Sequence, residues 1–321
     1  MSLHLRAIAA TNYARKVLPL TASLWAGSRD LPTYIAQTTE LARSSYGRRF
    51  YRTIGLFDGD DWLASCKRYE RTMRVGSERL RAVGFGAVFT PPPARGKGYA
   101  TMLLALLMDE ARSAAFDAAY LFSDIHPAFY AALGFQEYAS TVFSLRSDSL
   151  RAQRLRCSPL TGSDWDKIAQ CYDASQRAEP WGFLRSRVVW NWIRLRARQR
   201  SEQCRAQSIA LAARDKHRLI AYILGERYPK RDLLELDEFG WADEAGRAAI
   251  QTLLKNAARD LRKIGGWLPP SSALELLPRH TKRKRRDAIL MIAPLSGLGK
   301  RLGRIASGEG AADAVWPTDH I

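Results

Sequence analysis

The sequence predicts an α/β (α+β) fold made of two similar domains, and three observations support this prediction. A chain of 321 residues is long enough to bury two separate cores. Strand-like and helix-like segments succeed one another between residues 51 and 150, which is typical of a sheet flanked by helices. A similar order of segments recurs between residues 151 and 295, so the second half has the pattern of a diverged repeat.

Three strands open the first domain. Residues 51–57 and 62–75 are strand-like and an Asp-Gly pair lies between them, which predicts a hairpin. Residues 80–90 predict a third strand. A glycine inside a strand usually marks a bulge or a close approach of backbone or ligand, and this strand contains Gly84 and Gly86.

A glycine-rich loop leads into the next predicted helix. Residues 94–116 carry apolar side chains at helical spacing, with glycine only on the N-terminal side. A short buried strand is predicted over residues 118–123, a helix begins at Pro127, and a turn at Gly134-Phe135 leads into a further strand. We therefore place the end of the first domain near residue 150.

The second domain follows a linker at residues 151–156. Helical segments come first. Three strands, a helix and a final strand are then predicted over residues 208–215, 219–228, 233–241, 248–264 and 288–295. From Ser296 onward we expect a loosely held extension. The predicted division of the chain is therefore 1–150, 151–295 and 296–321.

The charge balance is the unusual feature of the composition. Lys and Arg number 50 against 32 Asp and Glu, a formal net charge of +18. The positive electric field of such a chain attracts nucleic acid, a membrane surface or a phosphate-rich cofactor, and the sign of the charge alone does not distinguish among them.

No stretch approaches about eighteen uninterrupted apolar residues and no signal-peptide pattern opens the chain, so we expect a cytoplasmic protein without a membrane partner. The cysteines lack paired spacing, which predicts free thiols and no metal site: Cys66, Cys157, Cys171 and Cys204.

The loop from Arg95 to Ala100 combines small residues, a helix N-terminus and two cations, which together suit a pyrophosphate. Taken alone, a glycine before a helix is often only a turn, and both the P-loop and the dinucleotide glycine spacings are absent. Two motifs in order add specificity. Arg95, Gly98 and Ala100 fit R/Q-x-x-G-x-G/A, and residues 129–135 (FYAALGF) fit an FYxxxGF-like signature. On these motifs the chain resembles the GNAT superfamily of N-acetyltransferases.

The resemblance implies two tandem GNAT-like domains, each with a mixed, mostly antiparallel twisted sheet flanked by helices. It also implies acetyl-CoA as co-substrate, without a metal, and Tyr130 as general acid. The pantetheine arm would lie along one strand end and the pyrophosphate on the loop. The cofactor-binding residues carried over are Val88, Phe89, Thr90, Arg95, Gly96, Lys97, Gly98, Tyr99, Ala100 and Ser123. Ser123 stands where many members of the family have asparagine.

The general base and the role of the chain terminus stay open. Glu70, Asp124 and His126 lie near predicted strand ends, where each is as readily a solvated or capping residue, and water is an alternative. The tandem pattern resembles the enhanced-intracellular-survival type of acetyltransferase, in which the terminus reaches the active site. By that resemblance Asp319 or the terminal carboxylate acts on the amine; the alternative is a frayed, inert tail.

The second half departs from the GNAT pattern where a phosphate loop is expected. Asp243 and Glu244 stand there, and two carboxylates repel a pyrophosphate, so we expect a repeat that has lost cofactor binding. Two further features have alternative interpretations. Three tryptophans line a substrate cleft or pack in the core: Trp181, Trp190 and Trp192. The basic run 282–286 contacts nucleic acid or is a solvated loop.

Three functions compete at this point. The first is an N-acetyltransferase that acetylates a primary amine of a small molecule or peptide. The second is a nucleic-acid-associated protein or RNA acetyltransferase that uses the basic surface, although the interleaved aromatic and basic pattern of an RNA-binding module is missing. The third is a coenzyme A binding module without catalysis. Neither the acceptor, the length of the acyl group nor the oligomeric state follows from the sequence.

Overall fold

The structure is a computed structural model that describes residues 2–124, 127–138, 140–203, 206–308 and 315–320. These residues form two mixed sheets flanked by helices, which confirms the predicted fold class. No helix among them is both long and apolar enough to cross a bilayer. Three of the cysteines are free thiols, as predicted, and Cys204 lies outside the described residues.

The first half of the chain begins with a strand and four helices. Its elements are β1 Leu3–Ile8, α1 Ala10–Lys16, α2 Leu18–Trp25, α3 Leu31–Arg43, α4 Ser45–Phe50, β2 Tyr51–Asp58, β3 Asp61–Val75, β4 Glu78–Phe89, α5 Tyr99–Ser113, β5 Ala118–Ser123, α6 Pro127–Ala131, β6 Gln136–Glu137 and β7 Thr141–Arg146. Polar caps set the helix boundaries. The Asp30 side chain accepts from Thr33 N at 2.8 Å to begin α3, and Ser44 accepts from Gly47 N at 2.9 Å to begin α4.

The second half continues the alternation of strands and helices. Its elements are β8 Arg156–Pro159, α7 Trp165–Ser175, β9 Trp181–Leu184, α8 Arg187–Gln203, β10 Gln207–Asp215, β11 Arg218–Tyr228, β12 Leu233–Trp241, α9 Glu244–Ala257, β13 Lys263–Trp267, α10 Ser271–Leu274, β14 Thr281–Lys284, β15 Ile289–Pro294 and α11 Gly297–Ala306. A short 3-10 turn at Pro317–Asp319 follows near the C-terminus.

Each of the two sheets contains strands from both halves of the chain. The first has the order β1-β2-β3-β4-β5-β15-β6, and β9 pairs with β3 beside it. The second has the order β14-β7-β13-β12-β11-β10-β8. Strands β9 and β15 of the second half therefore complete the first sheet, while β7, which precedes residue 150, completes the second. Neither core is built from one continuous half of the chain.

Both halves repeat one arrangement of strands and helix. In the first, the antiparallel strands β2, β3 and β4 are followed by α5, and β5 returns parallel to β4. In the second, the antiparallel strands β10, β11 and β12 are followed by α9, and β13 returns parallel to β12. The order of elements thus repeats as the sequence pattern indicated.

Two predictions for the second half are wrong. The helix predicted over residues 248–264 ends at Ala257, and Lys263–Trp267 is the strand β13. Ile264 of this strand is fully buried between β12 and β7, so sheet pairing outweighs the helical pattern. The extension from Ser296 is also not loosely held. Ser296 caps α11, and Leu302 of that helix is fully buried.

Candidate active site

The strands β4 and β5 are hydrogen-bonded to each other along only part of their length. Their parallel ladder pairs residues 82–84 with 118–120 and ends there, although both strands continue. A bulge displaces the end of β4, since Lys67 of β3 pairs with Gly86 whereas Ser65 pairs with Phe89. Within the bulge Ala87 has a φ of +46°, which costs a non-glycine residue strain. A gap therefore opens in the sheet, bordered by the predicted pantetheine-binding strand end.

The loop after β4 leaves the N-terminus of α5 open. Gly98 is the N-cap residue of this helix, and no side chain caps it. Gly96 and Gly98 both have a φ of +76°, and a Cβ at either would meet nothing within 4 Å, so conformation and not space requires glycine here. Arg95 is exposed and its Nε donates to Thr90 O at 3.1 Å. Free helix N–H groups beside a cation fit an anion such as pyrophosphate.

Three of the predicted cofactor-binding residues have buried side chains: Phe89, Tyr99 and Ser123. Tyr99 packs into the core between α5 and the first sheet, so only its amide faces the loop. Ser123 is buried at the end of β5, opposite Ile289 of β15. Lys97 is exposed on the loop, and Ala100 lies half-buried in the first turn of α5. The structure thus brings the loop and the strand end together, with Ser123 across the gap.

Tyr130 lies on α6, half-buried against the aromatic rings of Phe129 and Phe135. Burial raises its pKa to about 12, and the neighbouring Cys66 and Asp124 act in the same direction. The hydroxyl consequently stays protonated at neutral pH. That is the state a general acid requires.

A cavity of about 420 Å³, here called the central cavity, lies against the first sheet. Phe85, Gly86 and Ala87 of β4 line it, as do Phe122 and Asp124 at the end of β5, so it reaches the gap between the two strands. Helices α1, α2, α3 and α8 also line it, as does His320, the residue before the last. Six further aromatic residues line it: Tyr13, Trp25, Tyr34, Tyr51, Tyr69 and Trp192.

Of the candidate general bases, only Asp124 lies at the central cavity among the described residues. It is exposed, and its Oδ1 accepts from Ala288 N at 2.9 Å. Glu70 lines a different, larger cavity of about 780 Å³ further along β3, and it accepts from Arg68 at 2.8 Å. His126 lies outside the described residues.

Residues 315–320, the described part of the C-terminal segment, are mostly buried between the two sheets, so the prediction of a frayed tail is wrong for these residues. Trp316 is 1% exposed and packs on Phe239, with ring centroids 5.1 Å apart. Burial by itself raises the pKa of Asp319, but Arg185 and Arg71, each 2.7 Å from its carboxylate, outweigh burial and lower that pKa. A carboxylate held in this way is a poor proton acceptor.

The hypothesis that Asp319 is a general base therefore finds no geometric support, because its carboxylate lies in an ion-pair cluster and not on the wall of the central cavity. His320 does reach that cavity and packs on Phe122 and Trp267, with centroid distances of 4.9 and 5.7 Å. The terminal residue, Ile321, lies outside the described residues, as does Ala314.

Three tryptophans and the basic run also have defined places. Trp181 and Trp190 are buried in the cores, and Trp192 is buried but also borders the central cavity. Residues 281–284 form the edge strand β14, in which Lys284 pairs with Glu137 at 3.2 Å. Arg285 is buried with its guanidinium 3.5 Å from the Trp267 ring.

In the second half, the helix that corresponds to α5 is α9, and a carboxylate caps its N-terminus. Asp243 caps α9 by accepting from Gly246 N at 2.9 Å, and it also pairs with Arg218 at 2.6 Å. A Cβ at Gly246 would lie 2.0 Å from Ile220 O, so the backbone is tightly packed here. The helix end that would meet a phosphate is therefore already occupied by an anion from the chain.

Residues 15–138 match the family model of an acetyltransferase (GNAT) domain. No curated protein sequence matches the chain. Among solved structures, a GCN5-related N-acetyltransferase from Anabaena variabilis has a TM-score of 0.72 at 15% identity, over 93% of this chain and 74% of that one. Eis1 from Mycobacterium abscessus has a TM-score of 0.63 at 12% identity, over 92% and 74%. A tandem GNAT protein from the clavulanic acid biosynthesis pathway has a TM-score of 0.51 at 14% identity, over 92% and 99%. At these identities the likeness establishes a shared fold.

Proposed function

We propose that the chain is an acyl-CoA-dependent N-acetyltransferase that moves an acetyl group from acetyl-CoA to a primary amine of a small molecule or peptide. The observation that carries the proposal is the gap between β4 and β5, which has an open helix N-terminus on one side and the central cavity on the other. Such a gap lets a long ligand cross the sheet and present its end to an acceptor. The GNAT domain match over residues 15–138 agrees with this reading.

The donor would be held mainly by backbone. Amides of residues 95–100 at the open start of α5 suit the pyrophosphate, and Arg95 and Lys97 add positive charge. Val88, Phe89 and Thr90, where β4 has left β5, suit the amide groups of the pantetheine arm. Ser123 contributes from the facing strand end.

Acetyl-CoA supplies the acetyl group as an activated thioester, which a neutral amine can attack directly. A backbone N–H near Phe89 stabilises the negative charge that grows on the carbonyl oxygen. Tyr130, whose pKa is raised to about 12, holds a proton at neutral pH for the leaving sulfur. Asp124, at the wall of the central cavity, or water takes the proton from the amine.

No structural observation favours the nucleic-acid alternative. Lys284 in the basic run is paired with Glu137 and Arg285 is buried, so the run is not a free row of cations.

The test is calorimetric titration with acetyl-CoA, comparing the wild type with Arg95→Glu. Reversing a charge beside the phosphate loop should abolish binding of roughly micromolar affinity, whereas Arg154→Glu, an exposed control in the linker, should leave it unchanged. Absence of binding by the wild type would refute the proposal. Tyr130→Phe should retain binding and lower turnover by roughly a hundredfold or more, as expected on removal of a general acid.

A further inference from the structure

Two cations line the central cavity without a carboxylate partner among the described residues. Lys67 is 5% exposed, and its Nζ donates to Thr53 at 2.6 Å while lying 3.7 Å from the centre of the Tyr13 ring. Arg196, on α8, donates to the carbonyl oxygen of His320. Neither forms an ion pair with any carboxylate of the described residues.

The other two cations of the cavity are already satisfied. Arg29 donates to Ala26 O at 2.7 Å and to further carbonyl groups, which fixes its guanidinium against α2. Arg200 pairs with Asp237 at 2.7 Å. Against these four positive groups, the described lining contains a single carboxylate, Asp124. The cavity is therefore strongly positive, with two groups left to receive an anion.

Burial makes an unpaired cation costly. Desolvation lowers the pKa of Lys67 to about 7 and that of Arg196 to about 10, and Arg200 contributes to the latter shift. Buried charges in folded proteins are normally paired, because an isolated one loses its hydration without compensation. A buried cation, Lys67, and a half-buried one, Arg196, on the wall of one cavity are the arrangement expected when the counter-ion arrives with a ligand.

The position of Lys67 connects this anion to the proposed chemistry. Lys67 pairs with Gly86 in the ladder between β3 and β4, and Gly86 is the last residue before the bulge that opens the gap. The Nζ of Lys67 is directed toward Thr53 of β2, so an anion held there lies in the same cavity that also reaches the end of β4. Since Tyr13, Tyr51 and Trp192 line the wall together with the two cations, an apolar or aromatic body suits the rest of such a ligand.

On the basis of the proposed function, we propose that the acceptor is a primary amine that also carries a carboxylate, on an apolar or aromatic body, and that Lys67 and Arg196 bind the carboxylate. An α-amino acid with an apolar side chain has this chemistry. Polycationic amines do not, because Lys67, Arg196 and Arg29 would repel them from the cavity.

The test uses matched acceptors that differ only in charge. The twenty L-amino acids, their C-terminal amides and spermidine are offered with acetyl-CoA, and released thiol is measured. At least one apolar amino acid should exceed its amide by roughly tenfold or more in kcat/KM, because a hydrogen bond to a charged group contributes about that factor. Equal rates for acid and amide, or a preference for spermidine, would overturn the proposal while leaving N-acetyl transfer intact.

Variants assign the preference to residues. Lys67→Met and Arg196→Met should each bring the acid-to-amide ratio down by roughly tenfold, with turnover of the amide showing that the protein is folded. Arg194→Met, an exposed control two positions away on α8, should leave the ratio unchanged. An unchanged ratio in both cavity variants would contradict the proposal.

Two further outcomes separate the hypotheses. If the wild type binds no acetyl-CoA, the proposed function fails; acid and amide are then compared by direct calorimetric binding, and equal affinities overturn the acceptor proposal too. If acid preference arises only after the terminal carboxylate of Ile321, which follows His320 in the sequence, is converted to an amide, then the chain and not the ligand supplies the anion, and the proposal is wrong.

Discussion

Asp319→Asn tests whether the buried C-terminal segment holds the two sheets together. The Asp319 carboxylate contacts Arg71 of β3 at 2.7 Å and Arg185, which follows β9, at 2.7 Å, and all three side chains are at most 1% exposed. Glu238 of β12 also pairs with Arg185, at 2.6 Å. Arg185 therefore keeps one carboxylate in the variant, whereas Arg71 keeps none among the described residues. One uncompensated buried charge costs about 3–5 kcal/mol.

The free energy of unfolding in urea measures this loss, with tryptophan fluorescence as the signal. The matched control is Asp60→Asn, which breaks the exposed pair of Asp60 with Arg6, whose side chains are 97% and 48% exposed. The control should cost less than about 1 kcal/mol. If Asp319→Asn also lowered the free energy of unfolding by less than about 1 kcal/mol, this would refute the reasoning that the ion pairs of Asp319 with Arg71 and Arg185 stabilise the folded protein.

The pH dependence of this difference has a definite sign. The pKa of Asp319 is lowered in the folded protein, so its carboxylate contributes stability above the ordinary pKa of about 4. The contribution is lost as pH falls through the lowered pKa. The gap between wild type and Asp319→Asn should accordingly be constant from pH 7 to about 5 and shrink in acid.

Two further perturbations address the cavity and the last helix. Lys67→Met should raise the free energy of unfolding at pH 7, because the folded-state pKa of Lys67, about 7, lies below its ordinary value near 10.5. Keeping Lys67 charged in the folded protein costs roughly 1.4 kcal/mol per unit of this pKa difference. That cost is present in full below pH 7 and should vanish by about pH 10.5, where Lys67 is neutral in both states. Urea unfolding across this range checks it, and a pH-independent difference would contradict the reasoning. Leu302→Ala should cost about 2–5 kcal/mol in the same assay, since Leu302 is fully buried, while Leu24→Ala, at a side chain 59% exposed, should cost under about 1 kcal/mol. A small effect at Leu302 would restore the view of a loosely held extension.

Local signals were enough for the hairpin of β2 and β3 and for the glycine loop before α5. The hairpin of β2 and β3 and the helix α5 follow from turn residues and periodicity, which act over a few neighbouring positions. The positive φ of Gly96 and Gly98 explains why glycine stands in that loop. The sequence therefore predicted the fold class and a glycine loop that leads into a helix; phosphate binding at that loop stays a prediction.

Tertiary structure decided the rest, because it depends on contacts between distant segments. Strand β13 forms only because β12 and β7 bury Ile264 between them. Asp319, near the C-terminus, is held by ion pairs with Arg71 of β3 and with Arg185, which follows β9. In the sequence, Lys67 and Arg196 are two of 50 Lys and Arg residues, and no local pattern distinguishes them from the others. Only when β3 and α8 enclose one cavity do they become a buried and a half-buried charge without a carboxylate partner among the described residues, since burial, unlike periodicity, is a property of the packed chain.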